Sequence, residues 1–267
     1  MKVTKYFFLK KIIRFVFCFR RPLVDSPTAL GQPISDLFIW RRSNKWETCF
    51  ELFDLASLFR ASTQDGNIVK FIFFDFEGNF LQEHTVEITP NTRIIVNISK
   101  ILSRCSVEFG TFCVFHLQIP EIINLSDSYL SERGYVSYRY LNGPLRGYVH
   151  GNLDAVSLKE TGQIELLGGF SCLKRKYELQ YVFRGGSDYE LAIVNPSGGL
   201  QRIVFDVVSE AGHKVHSEAI KLNPRGVGIF RLQHKFHGYR VVIRSRLVMA
   251  RPVVFRTRMM GMDVFHG

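Results

Sequence analysis

Two His-Gly pairs, His150-Gly151 and His266-Gly267, stand out among the residues able to do chemistry, because each trails an aromatic-arginine pair, Tyr138-Arg139 or Phe255-Arg256, by a hairpin's length. An imidazole and a guanidinium at a strand end can hold a carboxylate or an anionic sugar: the guanidinium donates paired hydrogen bonds, and the imidazole changes charge near neutral pH. The competing reading is a folding role, in which the imidazole bonds a backbone carbonyl and glycine supplies a positive φ where the strand closes. A duplicated position is first of all a fold position, so the folding role is preferred.

The stretch SERGYVSYRYLNGPLRGYVHG concentrates tyrosine and arginine. Tyrosine and tryptophan faces stack on sugar rings, so Tyr138, Arg139, Tyr140, Arg146, Tyr148 and His150, with Arg256 and His266 of the second His-Gly region, form the candidate binding set. Trp40, Trp46 and Tyr135 are further stacking candidates. Against this stands a strand and hairpin whose alternate tyrosines pack inward.

Other constellations read more weakly. His213-Lys214-Val215-His216 and His234-Lys235-Phe236-His237 carry HxxH spacing, but residues three apart on a strand face opposite ways, so no metal site is expected. Cys113 and His116 have the same spacing, beside Cys105, and the apolar FCVF context points to a core thiol rather than a nucleophile. Asp75 and Asp206 sit at matching places in apolar strands and read as turn-bonding or edge carboxylates. The chain has no GxSxG, Walker A loop, GxGxxG or HExxH, which argues against standard hydrolases, kinases, dehydrogenases and zincins. No catalytic residue and no cofactor is assigned.

Charge is unevenly placed. The formal net charge is +11, and Lys2, Lys5, Lys10, Lys11, Arg14, Arg20 and Arg21 precede the first acid, Asp25. The remaining 28 basic residues face 24 acidic ones, an excess of only +4, too small for a phosphate footprint, so nucleic acid is disfavoured as a partner. The front segment interleaves those cations with large apolar residues. Lys10, Lys11 and Arg14 break every apolar run well short of the roughly 18 residues a spanning helix needs. As a helix it would lie in the plane of an anionic membrane surface, with Lys10, Lys11 and Arg14 on headgroups and Phe15, Phe17 and Phe19 in the acyl boundary. Docking on the protein's own body or on a partner, and service as an unusual targeting peptide, are the alternatives. No cleavable leader is expected, and the odd cysteine count, without a CxxC pair, fits a reducing compartment. The expected location is cytoplasmic, peripheral at the inner membrane face.

The elements that must position these groups show a weak internal repeat. EITPNTRIIVNI lines up with KLNPRGVGIFRL, matching Pro90 to Pro224 and Ile95 to Ile229, and Phe74-Asp75 falls over Phe205-Asp206. FCVFHLQI sits over YRVVIRSR, and both copies end in His-Gly. Segments such as FELFDL, VKFIFFDF, RIIVNI, ELAIVN and RIVFDVV are short, β-branched and aromatic, with turn chemistry between them at Glu77-Gly78-Asn79, Ala211-Gly212 and Asn223-Pro224-Arg225-Gly226. Only 52–60 and 98–104 read as helical turns. The pattern predicts an all-β chain of two tandem immunoglobulin-like antiparallel β-sandwiches related by duplication, at 25–157 and 158–267, behind the basic segment 1–24. The expected function is non-enzymatic: a binding or scaffold protein that engages a glycan or protein partner, with envelope polysaccharide assembly as a setting. The alternative is an enzyme with an interdomain site built around His150 and Arg139.

Overall fold

A computed structural model of the chain describes residues 27, 32–59, 66–118, 129–151, 153, 155–232, 238–248, 251–258 and 261–267. The expected membrane segment, with Lys10, Lys11, Arg14, Phe15, Phe17 and Phe19, lies outside the described residues, as do His234 and His237.

The described chain is all-β, in five four-stranded sheets. Sheet I orders β12 (Ile164–Leu166), β11 (Val156–Leu158), β1 (Ile34–Ser35) and β8 (Ser131–Glu132). Sheet II orders β2 (Phe38–Arg41), β7 (Phe109–His116), β4 (Asn67–Asp75) and β5 (Phe80–Ile88). Sheet III orders β10 (Gly147–His150), β9 (Tyr135–Tyr140), β3 (Trp46–Phe53) and β6 (Arg93–Asn97). Sheet IV orders β17 (Val227–Leu232), β14 (Asp188–Val194), β19 (Val253–Arg258) and β20 (Gly261–His266). Sheet V orders β13 (Phe170–Glu178), β18 (Arg240–Leu247), β15 (Gln201–Val208) and β16 (Lys214–Leu222). The helical turns fall at Leu55–Phe59, a 3-10 turn, and at α1 (Ile98–Ile101), whose N-cap Asn97 accepts from the Lys100 amide.

The expectation of two tandem immunoglobulin-like β-sandwiches is corrected here. The small sheets are arranged as a five-blade β-propeller. Two features hid this from the sequence. Each blade mixes strands from distant parts of the chain, so strand order in sequence does not reveal blade membership. Sheet I also covers the far face of sheet II, where Ile72, Phe74, Cys113 and Phe115 pack on Leu37, Val156 and Leu158. Strands β4 and β7 are therefore buried on both faces, which a sandwich with solvated outer faces does not provide.

The pairing scheme recurs along the chain. β3 lies between β6 and β9 as β14 lies between β17 and β19, and β4 lies between β5 and β7 as β15 lies between β16 and β18. Sheet I stands outside this recurrence. The cores bind the blades together: one cluster holds Phe50, Phe71, Phe73 and Phe112 with Tyr138 and reaches Ala192, Val227 and Phe255 of sheet IV, and a second joins sheets IV and V through Leu191, Phe205 and Phe230.

The two halves also meet through turns. The Val227 amide donates to the Phe76 carbonyl at 3.0 Å, and the Thr111 hydroxyl donates to the Arg225 carbonyl at 2.6 Å. Gly78 has φ +87°, and a Cβ there would lie 2.0 Å from the Pro224 carbonyl oxygen, whereas the matching turn glycine, Gly212, has φ +83° and open space around it. Both alanine substitutions incur the left-handed cost of about 1–2 kcal/mol, and Gly78→Ala adds a backbone clash that raises its cost to about 3 kcal/mol or more. Urea unfolding of Gly78→Ala and Gly212→Ala checks this ordering; equal losses would mean that the turn does not bear on the second half.

Candidate functional site

The join between the halves carries a cleft of about 550 Å³. Its first wall is the β2–β3 connection, where the Arg41 amide donates to the Thr48 hydroxyl at 2.9 Å and that hydroxyl donates back to the Arg41 carbonyl at 2.7 Å. Arg42 pins the loop from outside, donating to the carbonyls of Cys105 and Ser103. Ser43, Asn44 and Lys45 therefore present polar groups at the rim, with Trp46 and Tyr140 behind them. The facing wall comes from sheet IV, with Asp188, Tyr189 and Glu190 of β14 and Arg231 of β17.

Arg41 joins the two walls. Its guanidinium is buried, lies 4.0 Å from the Trp46 ring centre and 4.8 Å from that of Phe255, and pairs with Glu190 at 2.5 Å. Arg231 binds the other Glu190 oxygen at 2.8 Å. Burial pushes the Glu190 carboxyl up, but the charge of Arg41 and the bonds from Arg231 and Arg41 outweigh it and hold the carboxyl below its usual range. For Arg41, burial dominates and pulls the guanidinium down from its ordinary value. Trp46 is enclosed by Arg41, by Tyr140 at 4.7 Å and by Phe255 at 5.4 Å, so Tyr140 and the polar rim are the groups nearest an incoming ligand.

Of the sequence-derived candidates, Tyr140 and the stacking candidate Trp46 line this cleft. Tyr138 is buried and donates its hydroxyl to the Ile39 carbonyl at 2.7 Å, with burial pushing the phenol well up. Arg139 and Arg146 both grip Glu47, at 2.6 and 2.7 Å. Burial raises the Glu47 carboxyl, and the Asn97 hydrogen bond together with the two arginines more than offsets it. Tyr148 is half-exposed on β10, as is Tyr135 on β9, while Trp40 is fully buried and donates its indole N–H to the carbonyls of Phe74 and Thr111. Arg256 pairs with Asp263 at 2.9 Å and donates to the Tyr181 hydroxyl.

The two His-Gly pairs are brought together, because β10 and β20 lie side by side across the join. Their imidazoles are 5.1 Å apart. His266 Nε2 donates to the His150 carbonyl at 3.0 Å, and His150 Nδ1 donates to the Gly151 carbonyl at 2.6 Å. Burial pushes the His266 imidazole below its ordinary value, against the opposing bond to His150. His266 also borders a second cavity of about 460 Å³, with Tyr177, Tyr181 and Arg251.

The remaining constellations take structural positions. Cys113 is buried and its thiol is pushed far up by burial, while His116, on the opposite face, donates from Nε2 to Glu132 and accepts at Nδ1 from Asn67, both at 2.8 Å. Asp75 accepts from the amides of Glu77 and Asn79, and Asp206 pairs with Arg244. No group of three potential metal ligands occurs among the described residues, the four described cysteines are free thiols, and no described helix is long and apolar enough to cross a membrane. Sequence reasoning missed Arg41, Lys45, Glu190 and Arg231; the only local signals were a charged residue ending an apolar strand at Arg41 and one interrupting an apolar strand at Glu190.

No protein-family model matches the chain, and no curated protein matches it in sequence.

Removing the Glu190 charge leaves Arg41 enclosed without its counter-ion, so Glu190→Gln is expected to cost about 2 kcal/mol after allowance for partial solvent access. The depressed carboxyl also fixes a pH dependence. Glu190 takes up a proton more readily unfolded than folded, so the stabilisation is complete above its ordinary value of 4.5 and is lost as pH falls through the lower folded value. Urea midpoints of wild type and Glu190→Gln should converge on acidification, and a gap independent of pH would contradict the assignment.

Proposed function

We propose that the chain is a non-enzymatic binding protein that holds a glycan in the cleft between its two halves, at the cytoplasmic face of a membrane. The observation that carries this reading is the cleft itself. Its volume of about 550 Å³ is that of a small-ligand site rather than a protein interface. Its rim alternates donors and acceptors, with Ser43, Asn44, Lys45 and Arg231 beside Asp188 and Glu190, as a ring of hydroxyl groups requires. Tyr140 supplies an aromatic edge.

A catalytic reading takes support from the same convergence of polar groups from both halves. The state of the central carboxylate favours binding instead. Glu190 is held ionised by two guanidinium groups, which suits orientation of a ligand and removes it as a proton donor. The pair His150 and Arg139 is likewise committed within the protein, to the Gly151 carbonyl and to Glu47.

The test is a thermal-shift screen of the full chain against neutral and acidic saccharides, followed by calorimetric titration of any that raise the melting temperature. Lys45→Ala with Asn44→Ala should weaken binding at least fivefold and leave the unliganded melting temperature in place, since both side chains are exposed at the solvent rim. A panel without any shift, or a saccharide bound equally by wild type and variant, would overturn the reading.

A further inference from the structure

The cleft is not where the protein's positive charge collects. In sheet V the register places Tyr177, Ile243, Phe205 and Ile220 on the core side, so the residues between them face outward. On that outer face Arg240 pairs with Glu178, and Arg244 and Lys214 pair with Asp206. Lys176, Arg202, Lys221 and Arg246 are exposed there, and none of the four has an ion-pair partner among the described residues. This face thus holds seven basic and two acidic groups, an excess of +5, against +4 for the whole chain after its first seven basic residues. One sheet face carries all of the body's excess charge, and the rest is close to neutral.

A second observation bears on what the face meets. At the end of sheet V where Arg202, Lys221 and Arg246 cluster, Leu200 stands just before β15 with the outward parity of Arg202 and is 60% exposed. Cations beside a protruding Leu match the headgroup and acyl boundary layers of an anionic bilayer, whereas a soluble polyanion gives that apolar side chain nothing to contact. The four-stranded face is ~15 Å wide, at about 4.8 Å per strand, and is floored by Val204 and Val242, which suits a plane of headgroups.

We propose that the outer face of sheet V docks on an anionic lipid surface, with Arg202, Lys221 and Arg246 on lipid phosphates and Leu200 in the acyl boundary. This rests on the membrane placement of the proposed function and is independent of the glycan cleft. The test is co-sedimentation of the full chain with vesicles of phosphatidylcholine alone and of phosphatidylcholine mixed with phosphatidylglycerol, with inorganic polyphosphate as a soluble polyanion. Binding should require phosphatidylglycerol and weaken with salt. Arg202→Glu with Lys221→Glu and Arg246→Glu should lower vesicle partition at least tenfold, the matching Gln variant should lie between it and wild type, and Lys100→Glu with Arg104→Glu should bind as wild type. The Gln variant keeps the test valid if the charge reversals disturb folding. Wild-type partition by both sheet V variants would overturn the proposal and point to another part of the chain. Absence of vesicle binding, with or without retention of polyphosphate, would overturn it too. Saccharide titration of the same variants separates this outcome from failure of the cleft.

Discussion

A guanidinium cannot be buried in a protein without a counter-charge, and Arg41 is buried at the junction of the two halves. Its partner, Glu190, belongs to the other half, so the ion pair forms only when β2 and β14 are brought together. Much of the junction follows from that requirement. Trp46 and Phe255 flank the guanidinium, Tyr138 packs edge-on against the same Phe255 at 4.8 Å, and Arg231 completes the Glu190 carboxylate. Trp46, Tyr138 and Phe255 belong to a single core cluster, so the halves share apolar interior as well as charge. Turn docking around Gly78 and the side-by-side strands β10 and β20 fix the same junction at other points. The cleft is thus a consequence of how the halves are joined.

The strands were legible because their chemistry is local. RIIVNI, ELAIVN and RIVFDVV are β-branched runs between turn residues, and each is a strand in the fold. The closure of sheets was not legible. β1 and β8 are two residues each, too short to leave a periodic trace, yet they build the sheet that covers β4 and β7. The near-continuous apolar runs of VKFIFFDF and FCVFH did signal burial on both faces, and this is the sequence feature that conflicts with a simple sandwich.

The site was legible only in part. Alternation along YVSYRY places Tyr138 in the core and Arg139 on the opposite face, where it pairs with Glu47. The two His-Gly pairs end edge strands that lie side by side across the junction, and the bonds made by His150 and His266 run to backbone carbonyls. Arg41 and Glu190 carry no motif. Their pairing is a property of the assembled fold, which no local spacing reports.

The cleft and the basic face are separated on this molecule, the cleft lying against sheet IV and the basic face forming the outside of sheet V. The protein's two tryptophans offer a direct readout of the cleft: Trp46 lines it, whereas Trp40 is buried with its indole N–H bonded to two carbonyls. The decisive measurement is fluorine NMR of the full chain labelled with 5-fluorotryptophan, titrated with the saccharide that most raises its melting temperature. The account predicts that the Trp46 resonance moves with occupancy while that of Trp40 stays fixed; a bound saccharide that leaves Trp46 unmoved would contradict it.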